Sequence, residues 1–183
     1  GVNLPDVRDV VLYGLPYGAV ELNQMSGRAG RDGLPARVHM LFSARDMRVN
    51  ERVISQAAPA RDDLVAHYRA IRTLADASGR LTSSDEELLA MTARVAPALH
   101  VSEQEVQSGL AVFSELGFLK VSGWGETRCI VVETSPARME LARSARYLEG
   151  ENLREEFREF ADWVFSCPCE ELLAHIDRPI TPG

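Results

Sequence analysis

Ten consecutive residues, Gln24-Met25-Ser26-Gly27-Arg28-Ala29-Gly30-Arg31-Asp32-Gly33, gather the side chains best suited to chemistry. Arg28 and Arg31 lie three apart and alternate with Gly27, Gly30 and Gly33. Each guanidinium is a planar, permanently charged fork that matches phosphate oxygens. Three glycines in seven residues would cost a helix about 1 kcal/mol each relative to alanine, but they let the backbone come close to a ligand. The bland alternative is a surface turn with solvated arginines. The stretch follows a strand pattern and a short helix pattern and is led by Gln24, which favours binding of a phosphate-rich ligand.

The elements that must hold this loop are short. Residues 1–8 are irregular, with Pro5 excluding a central strand. Val10, Val11, Leu12 and Tyr13 form a continuous apolar run, expected as a parallel-sheet strand covered on both faces. Gly14, Pro16 and Gly18 end it, and 19–25 is a short helix. Residues 37–42 read as a second strand, and Ser43 caps a helix to about residue 56. Strand–helix–strand–helix is the order of an α/β layer. Two strands are too few for a stable sheet, so a fragment with its remaining strands upstream is expected.

Gln24 to Arg31 resembles motif VI of superfamily 2 helicases in its RecQ-like form, Gln-x-x-Gly-Arg-x-Gly-Arg. Gly1-Val2-Asn3-Leu4-Pro5-Asp6-Val7-Arg8 resembles the end of motif V, and the similarity continues through Asp32-Gly33-Leu34-Pro35-Ala36, Met40-Leu41-Phe42 and Asp46-Met47, covering about residues 1–47 without a gap. The resemblance implies a RecA-like lobe in which arginines reach across a cleft to ATP bound mainly by another lobe, with ATP and magnesium belonging to the parent protein. Arg31 would be the arginine finger and Arg28 a second phosphate contact. Gln24 would couple nucleotide to nucleic acid, Gly27 and Gly30 would let the backbone approach the nucleotide, and Asn3 would join the nucleic-acid contacts. Such a finger stabilises charge developing on the transferred phosphoryl group. No P-loop occurs in the 183 residues, so the fragment alone is not expected to hydrolyse ATP.

Charge bounds the nucleic-acid contacts. The net charge is −7. Residues 1–80 carry 11 arginines against 9 acids, and residues 81–183 carry 9 basic residues against 18 acids. A broad basic field is absent, so any DNA contact is local. Lys120 is the only lysine. No run of about 18 apolar residues exists to span a membrane, and three cysteines, which cannot all pair with one another, fit a reduced, cytoplasmic protein.

Beyond Pro59 the pattern changes. Helices are expected over 62–77, over 85–95 behind a Ser84/Glu87 capping box, and from Ser102, which makes a second box with Glu105, to a stop at Gly117. Strands are expected over 118–121 and 127–132, joined by a Gly-Trp-Gly turn. Three helices and a hairpin follow the winged-helix order, whose third helix often enters a DNA groove. Here that helix carries Glu103, Gln104, Glu105, Gln107, Ser108 and Glu115 on its outer face and no basic residue, which argues against groove reading. The wing residues Lys120, Trp124 and Arg128 are the better nucleic-acid candidates, since a ring can stack on a base. Trp124 can equally dock on its own domain.

The remainder, 137–183, reads as an acidic helical tail: one helix over 138–147, a break at Gly150, another over 151–165, an interruption at 166–169, and a last turn or two. Val112-Phe113-x-Glu115-Leu116-Gly117-Phe118, Ser144-x-x-Tyr147 and a helix reaching Trp163 resemble the C-terminal region of bacterial RecJ-type single-strand exonucleases. Cys167-x-Cys169 with Cys129 and His175 lacks the paired spacing of a structural zinc site, so no metal is expected. RecQ-like helicases often carry a four-cysteine zinc module after this lobe, and its absence is a departure from the family. His39, His67 and His100 lie on or near apolar faces and read as ordinary.

The expectation is an α/β fragment of a RecA-like lobe at 1–58, a winged-helix-like α+β domain at 59–136 and a helical tail at 137–183. Its parent would be a bacterial DNA repair or recombination protein with helicase-type ATP use, acting on single-stranded DNA, with fusion to a RecJ-like single-strand exonuclease as one arrangement the second resemblance implies. The alternative is a non-catalytic docking module of such an exonuclease. In both, the partners are DNA and upstream domains of the same chain, without a membrane.

Overall fold

The computed structural model describes residue 4 and residues 6–95, 97, 101–124, 128–133 and 139–174. Their elements run β1 (Asp9–Tyr13), α1 (Ala19–Ser26), β2 (Arg37–Leu41), α2 (Ala44–Ala57), α3 (Arg61–Leu74), β3 (Arg80–Thr82), α4 (Asp85–Val95), α5 (Glu103–Glu115), β4 (Leu119–Ser122), β5 (Cys129–Val132), a 3-10 turn (Leu141–Arg143), α6 (Ala145–Ser166) and α7 (Cys169–Ala174). The fold is mixed α/β, with a small parallel sheet and a helical C-terminal region. None of the described helices is long and apolar enough to cross a membrane.

The chain divides into two compact units. The first joins Gly1–Arg52 to Glu155–Gly183, and the second is Val53–Arg154. The cuts differ from boundaries at 58 and 136. Of two residues assigned by sequence to the tail, Leu141 belongs to the core of the second unit and Tyr147 packs against it, whereas Phe157 packs 6.4 Å from Tyr17 and Phe165 packs edge-on 5.1 Å from Phe42, within the first.

In the first unit β1 pairs with β2 in parallel, Val10 opposite Val38 and Leu12 opposite Met40. Leu12 is buried, but Val11 and Tyr13 are 58% and 91% exposed, and Leu41 opposite Tyr13 is 54% exposed. The strand that the sequence read as covered on both faces is covered on one among the described residues, since no other described element lies over the second. Asn50, buried on α2, donates its side-chain amide to the Leu15 carbonyl at 2.7 Å and ties the segment after β1 to that helix. Ser43 and Asp46 close the start of α2, the Ser43 amide and hydroxyl both reaching the Asp46 carboxylate at 2.7 Å.

The second unit is built on α3, α4 and α5 with a three-stranded antiparallel sheet ordered β3-β5-β4. Leu64, Ile71, Leu88, Val106, Leu110, Phe113, Phe118, Leu119 and Ile130 form its core. Both capping boxes form: Glu87 and Ser84 exchange bonds at 3.2 Å, and Ser102 N–H reaches the Glu105 carboxylate at 2.5 Å. Glu105 is therefore buried and does not belong to the outer face of α5. Helix α3 ends at Leu74, short of residue 77, because the Asp76 carboxylate captures the amides of Ser78 at 2.8 Å and Arg80 at 2.9 Å. That turn delivers β3, a strand absent from the sequence reading. Its three residues, Arg80-Leu81-Thr82, are too few to show alternation, yet they pair with Val131, Ile130 and Cys129.

Gly150 does not break the tail. Helix α6 runs unbroken from Ala145 to Ser166. A Cβ built on Gly150 would stand 2.8 Å from the Ala58 Cβ, so the glycine permits close packing rather than ending a helix. The expected helix start at Arg138 lies outside the described residues. At the observed start, Glu115 accepts from the Ser144 hydroxyl at 2.7 Å and from the Ala145 amide at 2.8 Å, the latter an otherwise orphaned helix donor.

His67 is not an ordinary core histidine. It is buried on α3, and neither ring nitrogen has a hydrogen-bond partner. Burial pushes its imidazole below the usual value, with Asp63 opposing. The folded state disfavours the proton that the unfolded state accepts near pH 6.5, so stability is full above about that pH and is lost as pH falls through the folded value. The slope approaches about 1.4 kcal/mol per pH unit. Thermal unfolding at pH 7.5 and 5.5 is expected to show a smaller acid loss for His67→Leu than for the native chain. His100 lies outside the described residues.

Candidate nucleotide-contact site

The glycine-arginine loop leaves α1 through a sequence of turns. Gly27 N–H bonds the Asn23 carbonyl at 2.8 Å, Ala29 N–H that of Ser26 at 3.0 Å, and Gly33 N–H that of Gly30 at 3.0 Å. Ser26 is buried and its hydroxyl bonds back to the Leu22 carbonyl at 2.7 Å, which fixes the end of the helix from which the loop springs. Gly30 adopts φ +62°, and a Cβ there would lie 2.7 Å from the Leu34 carbonyl oxygen. A side chain at this position would be both strained and in collision.

The loop is held to the strand entrance by two contacts. Gly30 N–H donates to the Val7 carbonyl at 2.9 Å. Arg8 forms a two-point ion pair with Asp32, Nη1 meeting Oδ1 at 2.8 Å and Nη2 meeting Oδ2. Asp32 also accepts from the Leu34 amide at 3.1 Å. The Arg8 bond, reinforced by that amide, holds the Asp32 carboxyl well down, at about 2. Arg8 in turn accepts from the Arg37 amide at 2.7 Å, where β2 begins. This pair was not singled out from sequence. The available signal was an aspartate directly after the second arginine and an arginine directly before β1.

On this frame Gln24 and Arg28 are exposed, Arg31 is half-buried with Nε 3.5 Å from the Gly27 carbonyl, and Gly27 is buried. The loop thus brings Gln24, Gly27, Arg28, Gly30 and Arg31 into one short stretch at the end of α1. Asn3 lies outside the described residues. The donor set fits phosphate: two guanidiniums on a glycine-rich backbone, with the carboxylate next in sequence, Asp32, committed to Arg8. Among the described residues no three acidic, histidine or cysteine side chains gather as a metal site would require. His175, named in the zinc reading, lies outside the described residues.

The three wing candidates differ in exposure and partners. Lys120 is exposed and pairs with Glu133 at 2.6 Å. Trp124 is 87% exposed. Arg128 corrects the sequence reading, for it is only 3% exposed and its guanidinium is ion-paired with Asp85, the first residue of α4. The same Asp85 oxygen also receives the Gln107 side-chain amide. Being buried, Arg128 presents no charge to a nucleic acid at the surface.

Residues 1–33 match the helicase conserved C-terminal domain. The N-terminal segment is homologous to RecQ-type helicases. It is 43% identical over 56 residues to the RecQ-like DNA helicase blm-1 of Caenorhabditis elegans, covering 31% of this chain and 6% of that protein. It is 45% identical over 47 residues to the ATP-dependent DNA helicase Q-like 2 of Arabidopsis thaliana, covering 26% and 7%. It is 37% identical over 54 residues to the bifunctional 3'-5' exonuclease/ATP-dependent helicase WRN of Mus musculus, covering 30% and 4%. The chain spans between 4% and 14% of the length of the curated relatives it matches. No solved structure matches it. The helicase-domain match contains the whole of the loop built above, from Gln24 to Gly33.

Proposed function

We propose that this chain is the C-terminal part of an ATP-dependent DNA helicase, with Arg31 as arginine finger, Arg28 as a second phosphate contact and Gln24 coupling nucleotide to nucleic acid. The observation that carries the reading is the helicase-domain match at 1–33 falling on a loop that offers two guanidiniums from a constrained glycine turn. ATP and magnesium belong to the parent protein. Arg28 and Arg31 supply positive charge at the phosphates, and the glycines let the backbone approach them. The second unit is proposed as a winged-helix-like module. Its order helix–strand–helix–helix–strand–strand, with the first strand paired to the third, supports that reading. With Arg128 buried, nucleic-acid contact in this unit falls to Trp124 and Lys120, and single-stranded DNA is the proposed partner.

A second reading treats the chain as a docking module of a RecJ-type exonuclease. What favours it is that Glu115, Ser144 and Tyr147, three residues of that resemblance, meet in one joint: Ser144 Oγ donates to Glu115 and accepts the Tyr147 amide at 3.1 Å. The deciding experiment is ATP hydrolysis by the full-length protein alone, with single-stranded DNA and with single-stranded RNA, since one mimivirus relative is named an RNA helicase. DNA-stimulated turnover supports the helicase reading. Nuclease activity without turnover supports the docking module.

A further inference from the structure

We propose that Arg8 and Asp32 form a latch that positions Arg31 toward the nucleotide, so that Arg8, which carries no assigned role, is a positioning residue for ATP turnover. The inference rests on the helicase reading and deepens it. Arg8 stands immediately before β1 and Asp32 immediately after Arg31, 24 residues apart in sequence. Their contact is two-pronged, the geometry in which a guanidinium fixes orientation as well as distance. It closes the loop at its far end, while the Gly30–Val7 bond at 2.9 Å holds the middle and Ser26 fixes the start.

The loop needs such a restraint. Gly27, Gly30 and Gly33 permit many backbone paths, and Gly30 and Gly33 are in the left-handed region at +62° and +79°. Glycine loses more conformational freedom on ordering than any other residue. A finger displaced by about 1 Å loses on the order of a hundredfold in rate. Asp32 also serves the turn itself through the Leu34 amide, so one carboxylate ties the local turn to the distant strand. A free carboxylate one residue from Arg31 would compete with phosphate for the guanidiniums, and the Arg8 pair removes that competitor.

The test uses the full-length protein carrying Arg8→Ala, Asp32→Asn, or the reversed pair Arg8→Asp with Asp32→Arg. Two readouts are taken: steady-state ATP hydrolysis with DNA, and hydrogen–deuterium exchange at the amides of residues 27–33. Each single variant is expected to raise exchange across the loop and to lower kcat about tenfold or more, with KM for ATP within about threefold. The reversed pair is expected to recover at least part of both. Unchanged exchange in Arg8→Ala, unchanged kcat despite faster exchange, or no recovery in the reversed pair would each overturn the latch. Failure of the helicase reading looks different, because the unsubstituted protein itself would then show no turnover. In that case the positioning role falls with it.

Discussion

Replacing Arg31 with alanine is expected to lower the DNA-stimulated ATP hydrolysis of the full-length protein by at least about tenfold, with the loss in kcat rather than KM. The reason is where the charge is needed. A phosphoryl group in transfer gathers charge on its outer oxygens, and an arginine aimed there acts more strongly on that state than on bound substrate. Tenfold corresponds to about 1.4 kcal/mol of lost transition-state stabilisation. Arg31→Lys keeps the charge but not the fork and should fall between the two. Arg28→Ala should raise KM more than it lowers kcat, as befits a second phosphate contact. Steady-state kinetics, with melting temperatures recorded alongside, checks all three. Unchanged turnover in Arg31→Ala would remove the finger assignment.

The largest expected effect on stability lies in the second unit. Phe113→Ala should cost about 3–5 kcal/mol in a urea unfolding experiment. Phe113 is fully buried, and its ring sits 5.2 Å from that of Tyr68. Tyr68 in turn meets Phe118 edge-on at 6.0 Å, so α3, α5 and the entry to β4 share one aromatic cluster. Truncation leaves a cavity that three elements cannot close together. A domain with a typical 5–15 kcal/mol of stability would lose a large part of it. Phe113→Leu, which keeps most of the volume, should cost clearly less. Equal losses for both would mean that the site tolerates a cavity and that the aromatic cluster is not what holds these elements.

What could be read before folding follows from how far apart the participants stand. The glycine-arginine loop is legible because all of its chemistry lies within ten residues. The capping boxes at Ser84–Glu87 and Ser102–Glu105 are legible because each spans three. The Arg8–Asp32 pair joins residues 24 apart, and nothing local marks either partner. Arg128 reads as a wing cation, but its place is set by Asp85, 43 residues away. Gly150 reads as a helix breaker from its intrinsic cost of about 1 kcal/mol. Contact with Ala58, 92 positions earlier, makes the missing side chain a packing requirement. Strand β3 is too short to show a period and is defined by pairing with β5.

The make-up of the first unit sets a timetable for synthesis. Its apolar centre draws on Leu12, Leu15 and Leu22 from near the start of the chain and on Phe157, Phe160, Ala161 and Val164 from α6. Roughly a hundred residues, all of the second unit, are translated between them. At ribosomal speeds of about 5–20 residues per second, the glycine-arginine loop and its two strands wait on the order of 5–20 s for the helix that buries their apolar side. The second unit is contiguous and can close during that interval. The glycine-arginine loop, made before the second unit, is thus among the last parts of this chain to reach its folded shape.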